Sequence, residues 1–280
     1  MDQLQNIWMR MFENENKRDA WWHKKCTVYH QRGYEMLRVR GRGELYRILR
    51  YAPTAEHEYL MHLSILLKKR DHFYIEELSV PFVFNVERGN VVHHRICGIS
   101  SADEETSPVL TREISPEAHQ RFTYDRQAAV KYAERWWNSY NPAYRRFDVD
   151  CTNYVSQCLY AGGAPMHGAP KRDRGWWYQG DNWSYSWSVA HSLRWYLSGA
   201  TQGLKGSEVS EASELELGDI ICYDFQGDGR WDHNTIVVSK DNNGMPLVNA
   251  HTDNSRMRYW SYEDSLAWTP DTQYKFFHIG

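Results

Sequence analysis

The stretch Asp150-Cys151-Thr152-Asn153-Tyr154-Val155-Ser156-Gln157-Cys158-Leu159-Tyr160-Ala161-Gly162-Gly163 decides how this sequence is read. Tyr154, Val155, Cys158 and Leu159 recur at helical spacing, so one helix face is apolar, and Gly162-Gly163 stops the helix. Asp150 stands where an N-cap belongs, which puts Cys151 in the first turn. Unpaired N–H groups and the helix dipole stabilise a thiolate there, so a thiol pKa lowered from ~8.5 by one or more units is expected. Cys151 is the candidate nucleophile, while Cys158, on the apolar stripe, reads as core.

Working outward, Ala129, Tyr132, Ala133, Trp136 and Tyr140 form a second apolar stripe, with Thr123 as its cap and Asn141-Pro142 as its end. A loop rich in Gly and Trp follows, then a helix over about 188–197 closed by Gly199. Strands are expected over 219–225, 233–239, 247–252 and 274–279. Helices first and short strands afterwards make an α+β domain.

His233 opens one of those strands, polar residues before it and Ile236-Val237-Val238 after it, so its ring can meet a helix N-terminus at a sheet edge. That is the position a general base for Cys151 needs. Reflecting position 233 through the turn at Asp241-Asn242-Asn243-Gly244 lands on 251 to 254. His251 is the expected third residue, fixing the His233 tautomer; Asn254 is the alternative, with Asn249 and Asp253 behind.

These blocks together resemble the bacterial "putative amidase domain" family, related to papain-like cysteine hydrolases of the NlpC and CHAP kinds. The resemblance runs through Tyr124-Asp125-Arg126-Gln127-Ala128-Ala129, Asn141-Pro142-Ala143-Tyr144, Asp150 to Leu159, Gly218-Asp219-Ile220, Trp231-Asp232-His233 and Ala250-His251-Thr252. It covers about 122–280, and His251 matches its pattern. It implies a papain-like cysteine hydrolase domain with Cys151 as nucleophile and His233 as base, acting on a peptide or a peptidoglycan-type amide. Nothing in it covers residues 1–105.

The first 105 residues read as a smaller α+β accessory domain of unknown role. Leu4, Ile7, Trp8, Met11 and Phe12 suggest a helix; strands follow over 44–51, 59–68 and 73–87, and a hairpin turn leads into 91–99. Residues 106–121, polar and with two Ser-Pro pairs nearby, read as a linker. His62, His72, His93 and His94 lack ligand spacing and read as strand-face residues, so neither a metal nor a cofactor is expected. Asp224 to Gly229 lacks the closing Glu of a calcium loop and reads as a turn.

Composition narrows the function. Lys plus Arg number 33 against 36 Asp plus Glu, net −3, which leaves no basic surplus for nucleic acid. No apolar run reaches the ~18 residues of a membrane span, and no signal peptide is visible. The five cysteines form no CxxC pair, and reduced thiols in a cytoplasmic setting follow, with a forespore or non-classical export left open. Trp176, Trp177 and Trp183 are candidates for the wall of a substrate groove, with Trp176 and Trp177 exposed. A catalytically inactive glycan- or peptide-binding module and an acyltransferase using the same thioester are the alternatives to hydrolysis; oligomeric state is not encoded in these patterns.

Overall fold

The structure, a computed structural model, describes residues 2–13, 20–51, 54–97 and 122–280, so the expected linker at 106–121 lies outside the described residues. The chain divides into two compact units, Met1–Ser100 with Ser261–Trp268 and Ser101–Trp260 with Thr269–Gly280. Helices are few and every strand pairing within each unit is antiparallel, so the α+β class holds.

In the first unit, helices α1 (Asp2–Glu13) and α2 (Ala20–Gln31) accompany strands β1 (Glu35–Tyr51), β2 (Thr54–Lys69), β3 (His72–Glu87) and β4 (Asn90–Ile96). The strands form a meander in sequence order. Arg88 and Gly89, with φ of 51° and 81°, make the tight β3–β4 turn expected from the sequence. Strand β2 buries Tyr59, Met61, Leu63, Ile65 and Leu67 at every second position, in one cluster with Trp8, Met11 and Trp22 of the helices. Within this unit Lys25 is buried between the carboxylates of Glu76 and Asp264, the latter 2.6 Å away, which fastens the 261–268 segment.

The second unit begins with α3 (Arg126–Trp136). Its cap is Asp125, whose Oδ1 accepts the Ala128 N–H at 2.9 Å, rather than the expected Thr123. Next come α4 (Cys151–Ala161), the short hairpin β5 (Tyr178–Gln179) and β6 (Asn182–Trp183), α5 (Tyr185–Ser188), α6 (Ala190–Gly199) and β7 (Gly206–Val209). Strands β8 (Ile220–Asp224), β9 (His233–Lys240), β10 (Pro246–Ala250), β11 (Ser255–Tyr259) and β12 (Gln273–Ile279) complete it, in sheet order β11-β10-β9-β8-β12-β7. The short strands β5, β6, β7 and β11 are additions to the sequence reading.

Ile220, Cys222, Ile236 and Val238 belong to one core with Tyr154, Val155, Cys158 and Leu159 of α4. The even-numbered residues of β8 and β9 therefore face the helices. Asp219, fully buried, ties the end of the chain to α3: its Oδ1 accepts from Arg126 Nη1 at 2.6 Å and from the Ile279 N–H at 3.0 Å. One irregularity matters for the site. Between β9 and β10 the register passes from Leu247 opposite Ser239 to Val248 opposite Val237, a bulge of one residue.

Candidate active site

Cys151 is the first residue of α4 and is 1% exposed. Its Sγ lies 3.7 Å from Thr152 Oγ1, and the Asn234 backbone N–H and the Thr252 side chain are further hydrogen-bond partners. The sulfur therefore sits against the start of β9 and the turn after β10. Burial pushes the thiol up, against the lowering effect of these partners, so the pKa depression expected from the helix terminus is overturned. The dipole acts over one turn, whereas burial removes every water that would solvate a thiolate.

Asp150 precedes α4 but does not cap it through its side chain. Its Oδ1 accepts from the Phe147 N–H and from Asn153 Nδ2, each at 2.9 Å, and its Oδ2 lies 2.8 Å from His251 Nδ1. The other nitrogen of His251, Nε2, is 2.7 Å from the Trp136 carbonyl, and the ring stacks on Tyr154 at 4.0 Å. Both ring nitrogens of His251 are thus engaged away from His233, which corrects its expected role as the group that orients His233. The bulge supplies the reason. Asn249 opposite Ile236 makes residue 252 the continuation opposite His233, and it puts His251 on the helix-facing side with Asn234.

Asn234 itself is fully buried, with Nδ2 donating to Thr152 Oγ1 at 2.9 Å and Oδ1 left without a partner. His233, the first residue of β9, precedes it, and its ring lies 5.6 Å from Tyr223 and 6.1 Å from Phe225. Burial, with the Arg258 charge second, lowers the His233 pKa to about 3, so the imidazole is neutral at pH 7. Asn254, the alternative third residue, hydrogen-bonds the Tyr140 side chain.

The tryptophans depart from expectation. Trp176 and Trp177 are buried, so neither walls an open groove. Trp176 Nε1 donates to Ser156 Oγ at 2.9 Å, and Trp177 Nε1 is taken by the Lys171 and Arg174 carbonyls. Trp183 is half-buried, flanked by the guanidinium groups of Arg145 and Arg172 at 5.4 and 5.1 Å. Gly175 forces the inward path: a Cβ there would stand 1.9 Å from the His167 carbonyl oxygen, so the Trp pair follows a backbone pressed against 167–168. Sequence reading missed Asn234, Thr252 and the Asp150–His251 pair. Their only signal was adjacency to His233, His251 and Cys151.

Among the described residues no group of three or more His, Cys, Asp and Glu could hold a metal ion, and no helix is long and apolar enough to cross a membrane.

A cysteine in the first turn of a helix set against an antiparallel sheet places the protein in the α+β class. The chain belongs to the family described as "Putative amidase domain", whose sequence pattern matches residues 123–277. The uncharacterized protein YhbB of Bacillus subtilis (strain 168) is 48% identical over 227 residues, 79% of this chain and 73% of that relative. The uncharacterized protein YjcM of the same organism is 34% identical over 140 residues, 47% of this chain and 31% of its own length. No solved structure matches the chain at a significant level. Membership points to an amidase-like hydrolase.

Proposed function

We propose that the second unit is a cysteine-dependent amide hydrolase of papain-like arrangement, related to the NlpC and CHAP kinds, with Cys151 as nucleophile and His233 as general base. The observation that carries this reading is the bond from the Asn234 backbone N–H to Cys151 Sγ, which brings the sulfur to the peptide joining His233 to Asn234. Thiol and imidazole are both uncharged at rest, since burial raises the one and lowers the other. The ion pair then forms only as the reaction proceeds.

Sulfur attacks the amide carbonyl while its proton passes to His233. The imidazolium returns that proton to the departing amine, leaving a thioester, and water activated by the same ring releases the acid. The Cys151 N–H, at the unpaired end of α4, is a donor for the oxyanion. A peptidoglycan-type or other peptide amide is the substrate class that family resemblance suggests. The binding-module alternative loses its support with the burial of Trp176 and Trp177.

The test pairs labelling with turnover. Iodoacetamide followed by peptide mapping should modify Cys151 ahead of the equally buried Cys158 and Cys222, and His233→Gln should remove that preference. Amine release from peptidoglycan stem peptides should vanish in Cys151→Ala. Wild-type turnover in Cys151→Ala would end the thiol mechanism.

A further inference from the structure

Thr252 carries φ of 83°, in the left-handed region, where a β-branched side chain is strained. It lies in the turn of residues 251–254 that joins β10 to β11. Backbone strain of this kind persists only where surrounding contacts hold it. Here the contacts are specific. Thr252 Oγ1 accepts the Asp150 N–H at 3.2 Å, and the same side chain is a partner of Cys151 Sγ.

The direction of each bond follows from counting protons. A hydroxyl has one proton to give. Thr252 Oγ1 accepts from the Asp150 amide, and towards a thiolate, which has no proton, its hydroxyl can only donate. Thr152 Oγ1 accepts from Asn234 Nδ2 at 2.9 Å and lies 3.7 Å from Sγ; either atom can donate while the thiol keeps its proton, and only the hydroxyl can once the sulfur ionises. The third partner, the Asn234 N–H, can only donate. Three donors therefore surround one sulfur, a set that satisfies a thiolate better than a thiol because charge-assisted bonds are the stronger ones.

We propose that Thr252 is a positioning residue for Cys151: its strained backbone aims the hydroxyl at Sγ, where, with Thr152 and the Asn234 amide, it completes a three-donor cradle for the thiolate formed during reaction. Asp150, whose charge opposes ionisation of its neighbour, is held off by its pairing with His251. The proposal rests on Cys151 being the nucleophile, yet the two readings are separable.

The experiment follows the rate of Cys151 alkylation by iodoacetamide against pH, by peptide mapping of the full chain, in wild type, Thr252→Val, Thr252→Ser and Thr252→Gly, with thermal melting alongside. Thr252→Val should move the alkylation midpoint up by about one pH unit, roughly a tenfold slower reaction near neutral pH. Thr252→Ser, which keeps the hydroxyl, should retain the wild-type profile. Thr252→Gly separates function from strain: it relieves the backbone, so melting should hold or rise, while the profile should follow the valine variant. Wild-type profiles in both Thr252→Val and Thr252→Gly would overturn the proposal and leave the nucleophile reading intact. A wild-type Cys151 that alkylates no faster than the equally buried Cys158 and Cys222 would overturn both.

Discussion

His251 Nδ1 lies 2.8 Å from Asp150 Oδ2, so this histidine braces the residue before the nucleophile rather than the base. Nε2 faces the Trp136 carbonyl, which only accepts, and so it carries a proton. Both side chains are buried, and Tyr154 stacks on the imidazole.

Removing one member leaves the other buried without its counterpart: Asp150 keeps only the Phe147 and Asn153 donors, and His251 only the Trp136 carbonyl. His251→Ala should therefore destabilise the protein by about 3–5 kcal/mol in urea unfolding. Asp150→Asn should lose a comparable amount, and the double variant should fall short of the sum by more than ~1 kcal/mol. Additive losses would mean that the two residues act separately.

Cys151 and Cys158, both buried on α4, should respond differently to substitution. Cys158→Ala removes a sulfur from the core and should lower stability by ~1–2 kcal/mol with labelling of Cys151 unchanged. Cys151→Ala should abolish turnover with the far-ultraviolet circular dichroism spectrum preserved. Equal effects on activity from both would remove the distinction between nucleophile and core thiol.

Helix α4 was legible because its apolar stripe, its Gly162-Gly163 stop and the position of Asp150 all agree, and it begins at Cys151. Strands β8, β9, β10 and β12 were legible from their β-branched and aromatic runs. Parity was not. A single extra residue at the β9–β10 bulge moves His251 from the face of His233 to that of Asn234, and no residue there announces a bulge. Trp176 and Trp177 were misjudged for another reason. A glycine-rich loop usually lies on the surface, but here Gly168 and Gly175 let two backbone segments touch and turn both indoles inward.

Acid should weaken the fold through His233. Its folded-state pKa is about 3, against ~6.5 for an unfolded histidine, so between these values the unfolded chain binds a proton that the native protein refuses. Stability is unaffected by this group above pH 6.5, where both states are neutral. It falls as the pH drops towards 3, by ~1.4 kcal/mol per pH unit once well below 6.5. Denaturant unfolding between pH 6.5 and 5 should show a shallower slope in His233→Gln. Equal slopes would place the acid sensitivity elsewhere.

Gly175→Ala should be among the most damaging single-methyl changes. The added Cβ would meet the His167 carbonyl oxygen at 1.9 Å, and the backbone holds φ of 65°. Neither neighbour is a flexible side chain. The pairing of Trp176 with His167 must open, taking with it the Trp176 bond to Ser156 on α4. A loss of several kcal/mol is expected, on the order of the largest point-mutation effects, together with a red shift of tryptophan emission as the buried indoles meet water. Wild-type emission and stability would show that the loop can relax around a methyl group.

The last prediction concerns the first unit, where Lys25, Glu76 and Asp264 are all buried. One cation there serves two carboxylates, with Asp264 at 2.6 Å. Lys25→Met keeps the length of the side chain and its packing but removes the cation that pairs with both buried acids. Loss of a buried partner is worth roughly 3–5 kcal/mol, more than the packing retained by methionine can offset. The triple variant Lys25→Met, Glu76→Gln, Asp264→Asn removes the uncompensated charges together and should recover most of that loss. Because Asp264 comes from the 261–268 segment, Lys25→Met should also expose that segment, read as new proteolytic cleavage between Ser261 and Trp268. Full stability in Lys25→Met, with 261–268 still protected, would show that apolar packing alone fastens the segment.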